Sequence, residues 1–131
     1  MTRVFLSHAL EDRKFVSELS RALKARGAET FVDYEHVRPG EDVSTTILAQ
    51  LQRSDLVVFV VPRFEGQGKN ALFELGAAKA LGKRIVAVLP EGVRRSNSDI
   101  ASALSRTLLL DASAKNVGLL ADQVLSDLAA A

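Results

Sequence analysis

Cysteine and tryptophan are absent from this chain of 131 residues, and histidine occurs only as His8 and His36. The lack of cysteine excludes disulfides, a thiolate nucleophile and cysteine zinc sites, and suits a reducing compartment. Two histidines do not make a histidine-rich metal site, so no metal is expected. No apolar run reaches the roughly 18 residues needed to cross a membrane, and Met1-Thr2-Arg3 leads straight into a strand-like segment. A soluble, unexported, cytoplasmic chain is therefore expected. An excess of one charge is missing too: 17 Lys and Arg stand against 16 Asp and Glu, a net +1 with no basic stripe. That balance argues against nucleic acid as a partner. The chain also has no low-complexity stretch, internal repeat or linker, which leaves one domain over residues 1–131.

What is present is a regular alternation of two apolar patterns. Val4-Phe5-Leu6 is a strand too brief for a helix. After Glu11-Asp12, the residues Phe15, Val16, Leu19, Ala22 and Leu23 recur at helical spacing up to Gly27, where a left-handed cap is cheap. Thr30-Phe31-Val32 is a second strand, followed by a long loop whose Arg38-Pro39-Gly40 is a turn signal. Val43, Ile47, Leu48 and Leu51 share a helical face. Leu56 to Val61 is an unbroken apolar run and so a strand covered on both sides. A Gly66-Gln67-Gly68-Lys69 connector leads to a helix from Asn70 to Leu81, stopped by Gly82. Ile85 to Leu89 is a fourth strand, Arg94 to Asp99 a loop, Ile100 to Leu104 a short helix and Leu108 to Leu110 a fifth strand. A last helix carries Val117, Leu120, Val124 and Leu128.

This alternation predicts an α/β domain: a flavodoxin-like three-layer sandwich with a five-stranded parallel sheet of order 2-1-3-4-5 and helices on both faces. The winding of such a sheet reverses between strands one and three, and ligands bind beyond the carboxyl ends of those strands. The crevice is thereby assigned to Ser7-His8 onward and to the segment from Pro62 into the third helix.

Glu74 stands at that crevice, on a helix whose other charge is Lys79. Its neighbours three and four positions on, Ala77 and Ala78, are small and predict open space beside the carboxylate. Two readings stay open: a ligand-facing acid, or an acid that only complements the helix dipole or caps the helix. Gly66-x-Gly68-x-x-Ala71 has the letters of a dinucleotide fingerprint, but Pro62 to Glu65 separate it from the strand, so it reads as a connector. The P-loop pattern is incomplete because Lys69 is followed by Asn70. Ser7, His8 and Asp12 have the residue types of a hydrolase triad, yet adjacent strand positions point to opposite faces. Ser7 and His8 read instead as hydrogen-bond donors at the crevice. Asp33, Tyr34, Glu35, His36 and Arg38 form a polar cluster that, taken alone, reads as a solvated loop.

These residues, in order, resemble the Toll/interleukin-1 receptor (TIR) domains along nearly the whole chain. Val4-Phe5-Leu6-Ser7-His8 is similar to the first family box, with Glu11-Asp12 and the first-helix pattern after it. Phe31-Val32-Asp33 through Arg38-Pro39-Gly40 resembles the second strand and its long loop, and Ser54-Asp55-Leu56-Val57-Val58 the third strand. Phe73-Glu74-Leu75-Gly76-Ala77-Ala78 with Leu81-Gly82-Lys83 looks like the helix that carries the catalytic glutamate of the bacterial NAD-cleaving members. The resemblance thus implies Glu74 as the catalytic residue, which topology selects independently. Ser7, His8, Asp33, Arg38, Phe64 and Asn70 are the expected substrate-binding residues. Asn70 stands where many members carry tryptophan.

NAD+ would be substrate rather than resident cofactor, cleaved to nicotinamide and ADP-ribose or a cyclic product, in antiphage defence. TIR–TIR self-association and a separate sensor protein or domain are the implied partners. A non-enzymatic interaction module acting through the loop from Tyr34 to Asp42 is the alternative. A nucleoside deoxyribosyltransferase, which the Asn-Ala-Leu-Phe-Glu-Leu-Gly wording also resembles, is a third possibility.

Overall fold

The computed structural model describes residues 2–8, 10–32, 43–61, 69–90, 108–111 and 116–129. Five parallel strands, β1 (Arg3–Ser7), β2 (Glu29–Val32), β3 (Leu56–Val60), β4 (Ile85–Leu89) and β5 (Leu108–Asp111), hydrogen-bond in the order β2-β1-β3-β4-β5. Four described helices accompany them: α1 (Arg13–Ala25), α2 (Val43–Arg53), α3 (Lys69–Ala80) and α4 (Val117–Ala129), with a 3-10 turn, Leu10–Asp12, leading into α1. The expected three-layer α/β architecture holds. The loop around Arg38-Pro39-Gly40, the Gly66-Gln67-Gly68 connector and the short helix expected at Ile100–Leu104 lie outside the described residues.

Strand parity divides the core in two. Val4 and Leu6 of β1 pack with Val58 and Val60 of β3, Val86 and Val88 of β4, and the α1 and α4 residues Val16, Leu19, Leu23, Leu120 and Val124. The alternate positions Phe5 and Val57 turn to the other side, against Ile47 and Leu51 of α2 and Ala78 of α3. Every residue of β3 is buried, as its continuous apolar run predicts. The strand itself stops at Val60, and Val61 donates its amide to the Val88 carbonyl at 2.9 Å.

Two helices end as the glycine positions predict. Gly27 sits at φ = +87°, with Gly27 N–H on the Lys24 carbonyl at 3.0 Å and Ala28 N–H on the Leu23 carbonyl at 3.1 Å. Gly82 sits at φ = +68°, with Gly82 N–H on the Lys79 carbonyl at 3.1 Å and Lys83 N–H on the Ala78 carbonyl at 2.9 Å. Both are Schellman closures, which need a left-handed residue that glycine supplies without a Cβ penalty. The second closure fixes the C-terminal end of α3, the helix that carries Glu74. No described helix is long and apolar enough to cross a membrane.

Candidate active site

β1 is an inner strand, held by β2 on one edge and by β3 on the other, and its last residue Ser7 is in register with Phe59. Ser7 shares strand parity with Phe5, so its side chain leaves the sheet on the α2–α3 side. α3 lies over that side. Glu74, Leu75 and Ala78 are all buried on its inner face, with Glu74 about 40° from Ala78 around the helix. The Ser7 hydroxyl donates to Glu74 Oε1 at 2.8 Å across 67 residues of sequence. Both residues are completely buried, at 0% exposure.

This geometry removes the dipole-or-cap reading of Glu74. The first residue of α3 is Lys69, so Glu74 is the sixth helical residue. A capping box places its acid at the third position, and the dipole effect fades within the first turn. A carboxylate without solvent carries a desolvation penalty of at least several kcal/mol unless hydrogen bonds meet it. The Ser7 hydroxyl is one such bond, of the charge-assisted kind worth about 1.5–3 kcal/mol.

The open space expected beside the carboxylate is not found where Ala77 and Ala78 led it to be sought. Ala78 is fully buried with Phe5, Ile47, Leu51 and Val57, and Ala77 packs partly buried against the same cluster. Their small side chains let α2 and the sheet approach α3 closely. On the opposite side of the helix, an added Cβ at Gly76 meets nothing within 4 Å among the described residues, and Phe73 is 49% exposed.

The other predicted site residues divide by location. His8 follows Ser7 at the end of β1 and is buried. Because the Ser7 hydroxyl donates to Glu74, a Ser7–His8 relay, which needs that hydroxyl to donate to the imidazole, is not assembled. Asn70 belongs to α3, four residues before Glu74 in sequence. Asp33, Arg38 and Phe64 lie outside the described residues. Among the described residues there is no group of three His, Asp or Glu side chains able to hold a metal ion. The Ser7–Glu74 pair was missed as a pair, although the shared parity of Phe5 and Ser7 was a signal for it.

The family model described as "TIR domain" matches residues 4–120. The chain belongs to the TIR domain family. This TIR domain is similar in fold to that of the Toll-related receptor TRR-2 from Hydra magnipapillata, with a TM-score of 0.73 at 21% identity, covering 96% of this chain and 97% of that one. It is similar to the TIR domains of the activated Roq1 resistosome, with a TM-score of 0.72 at 19% identity, covering 97% and 99%. A CMP N-glycosidase from Clostridium botulinum, BcmB, matches with a TM-score of 0.65 at 19% identity, covering 96% and 99%. At these identities the likeness is one of fold. No curated protein matches the chain in sequence.

Proposed function

We propose that this TIR domain is an NAD+ glycohydrolase in which Glu74 is the catalytic residue. The observation that carries the reading is the Glu74 carboxylate itself, buried at the switch point of the sheet and held by a hydroxyl from the end of β1. The fold likeness to a CMP N-glycosidase supports chemistry at an N-glycosidic bond.

The chemistry asks little of the protein. Nicotinamide is attached as a pyridinium, so when the C1′–N bond breaks its electron pair neutralises the ring, and no general acid is needed. The barrier lies in the positive charge that develops on the ribose. A carboxylate against that ring stabilises the oxocarbenium-like transition state, as carboxylates do in glycoside hydrolysis. Water then adds at C1′ and loses a proton to give ADP-ribose; attack by a nucleophile within the same molecule gives a cyclic product instead. NAD+ enters as substrate, and the reading requires no metal.

Full burial of Glu74 adds one condition: the carboxylate must be uncovered before a ribose reaches it. Self-association of TIR domains supplies the occasion for such a change, and the appearance of TIR domains in an activated resistosome supports assembly as part of the function. A role in antiphage defence, with a separate sensor, fits a domain switched on by assembly. The same burial favours a second reading, a non-enzymatic module that only assembles, whose exposed Phe73, Leu48 and Leu81 offer apolar contacts.

Nicotinamide and nucleotide products are to be followed with purified protein at high concentration, with and without a crowding agent. Nicotinamide release that rises steeply with protein concentration supports the enzyme. Assembly without release, indifferent to Glu74→Gln, favours the module.

A further inference from the structure

We propose that Ser7 is a positioning residue for Glu74: its hydroxyl keeps the carboxylate ionised and aimed, and it does not bind substrate. The inference rests on the reading of Glu74 as the acid that meets the ribose. Ser7 was expected among the substrate contacts, but its surface is fully covered and its hydroxyl donates to Glu74 Oε1 at 2.8 Å. Glu74 is equally covered, so burial does not separate the two; what does is that the one Ser7 hydroxyl proton is committed to the Glu74 carboxylate, through which Ser7 acts on a substrate.

The asymmetry of the pair supports this assignment. Ser7 ends an inner strand and is in register with Phe59 of β3, one residue after the last β1–β2 pair at Leu6, so its Oγ hangs by one rotatable bond from a strand held in the sheet. Glu74 reaches its carboxylate through three rotatable bonds from a helix. The fixed donor therefore orients the flexible acceptor. Donation to the charged form also opposes the burial penalty, which favours the neutral acid. The neutral acid cannot stabilise a cationic ribose. The charged and titratable side chains on the described elements packed against Glu74 are few. Arg3 stands at the opposite end of β1, His8 directly follows Ser7, and Arg53 ends α2. β3 contributes none, and α3 itself carries Lys69 and Lys79.

The experiment compares wild type, Ser7→Ala, Ser7→Thr and Glu74→Gln for nicotinamide release from NAD+ across pH. In parallel, the Glu74 carboxyl resonance is titrated in protein carrying 13C-carboxyl glutamate, with Glu74→Gln giving the assignment. Losing one hydrogen bond to a charged group predicts that Ser7→Ala lowers kcat by about ten- to a hundredfold with KM little changed. The acidic limb of the pH profile and the Glu74 titration both move up by about one pH unit, and Ser7→Thr, which retains a hydroxyl, restores both.

If Ser7→Ala does not fold, Ser7→Cys, close in shape but a weak donor, is expected to move in the same direction by less. Unchanged or raised turnover with an unmoved Glu74 titration overturns the assignment, and so does a loss seen only in KM. Full turnover by Glu74→Gln instead overturns the proposed function, and the carboxyl titration still decides whether Ser7 holds Glu74 in its charged form.

Discussion

Gly76 and Ala78 lie two residues apart on α3, and the phase of the helix gives them opposite roles. Gly76 faces open space, with nothing within 4 Å of an added Cβ, while Ala78 is fully buried among Phe5, Ile47, Leu51 and Val57. Gly76→Ala removes the entropic weakness of glycine inside a helix and meets no neighbour, so it is expected to stabilise the fold by about 0.8–1.0 kcal/mol. For a domain of this size that is a rise in Tm of about 3–5 °C. Ala78→Leu forces three more carbons into a packed cluster and is expected to destabilise by about 1–3 kcal/mol. Urea and thermal unfolding of both variants, followed by circular dichroism, measure the pair. The phase that buries Ala78 also turns Glu74 onto the sheet. A neutral Ala78→Leu, or a destabilising Gly76→Ala, would refute the placement of Glu74 against Ser7.

Substitutions at two further positions test the ends of helices on either side of the sheet. Gly82→Ala puts a Cβ on a backbone at φ = +68°; it is expected to destabilise by about 1–2 kcal/mol, seen as a lower urea midpoint with an unchanged m-value. Asn116 Oδ1 accepts the Leu119 amide at 2.8 Å as the N-cap of α4. Asn116→Ala is expected to lower stability by about 0.5–2 kcal/mol, and Asn116→Asp to retain most of it in the same denaturation assay.

The sheet and its winding were legible because β3 and β4 are nearly continuous apolar runs, short enough to be strands and separated by helix-length segments. Gly27 and Gly82 marked their helix ends because the left-handed closure there needs glycine. The inner face of α3 was not legible. Its outward side carries Phe73, Gly76 and Ala80 and its inward side Glu74, Leu75 and Ala78, so apolar periodicity does not distinguish them. That is why Ala77 and Ala78 suggested a hollow and proved to be packing. Glu74 was legible as a candidate from topology. Its burial and its bond to Ser7 were not, since they depend on a contact across 67 residues. Asp33, Arg38 and Phe64 lie outside the described residues, so their standing rests on the sequence resemblance alone.

The central claim, that the Glu74 carboxylate carries the reaction, is tested most directly by nicotinamide release from NAD+ with wild type and Glu74→Gln at equal, high protein concentration. Glutamine keeps the shape and still accepts the Ser7 hydrogen bond, so circular dichroism is expected to be unchanged. Turnover is expected to fall by about a hundredfold or more, as when a preorganised electrostatic contact to a transition state is removed. Equal turnover by the two proteins would contradict the account.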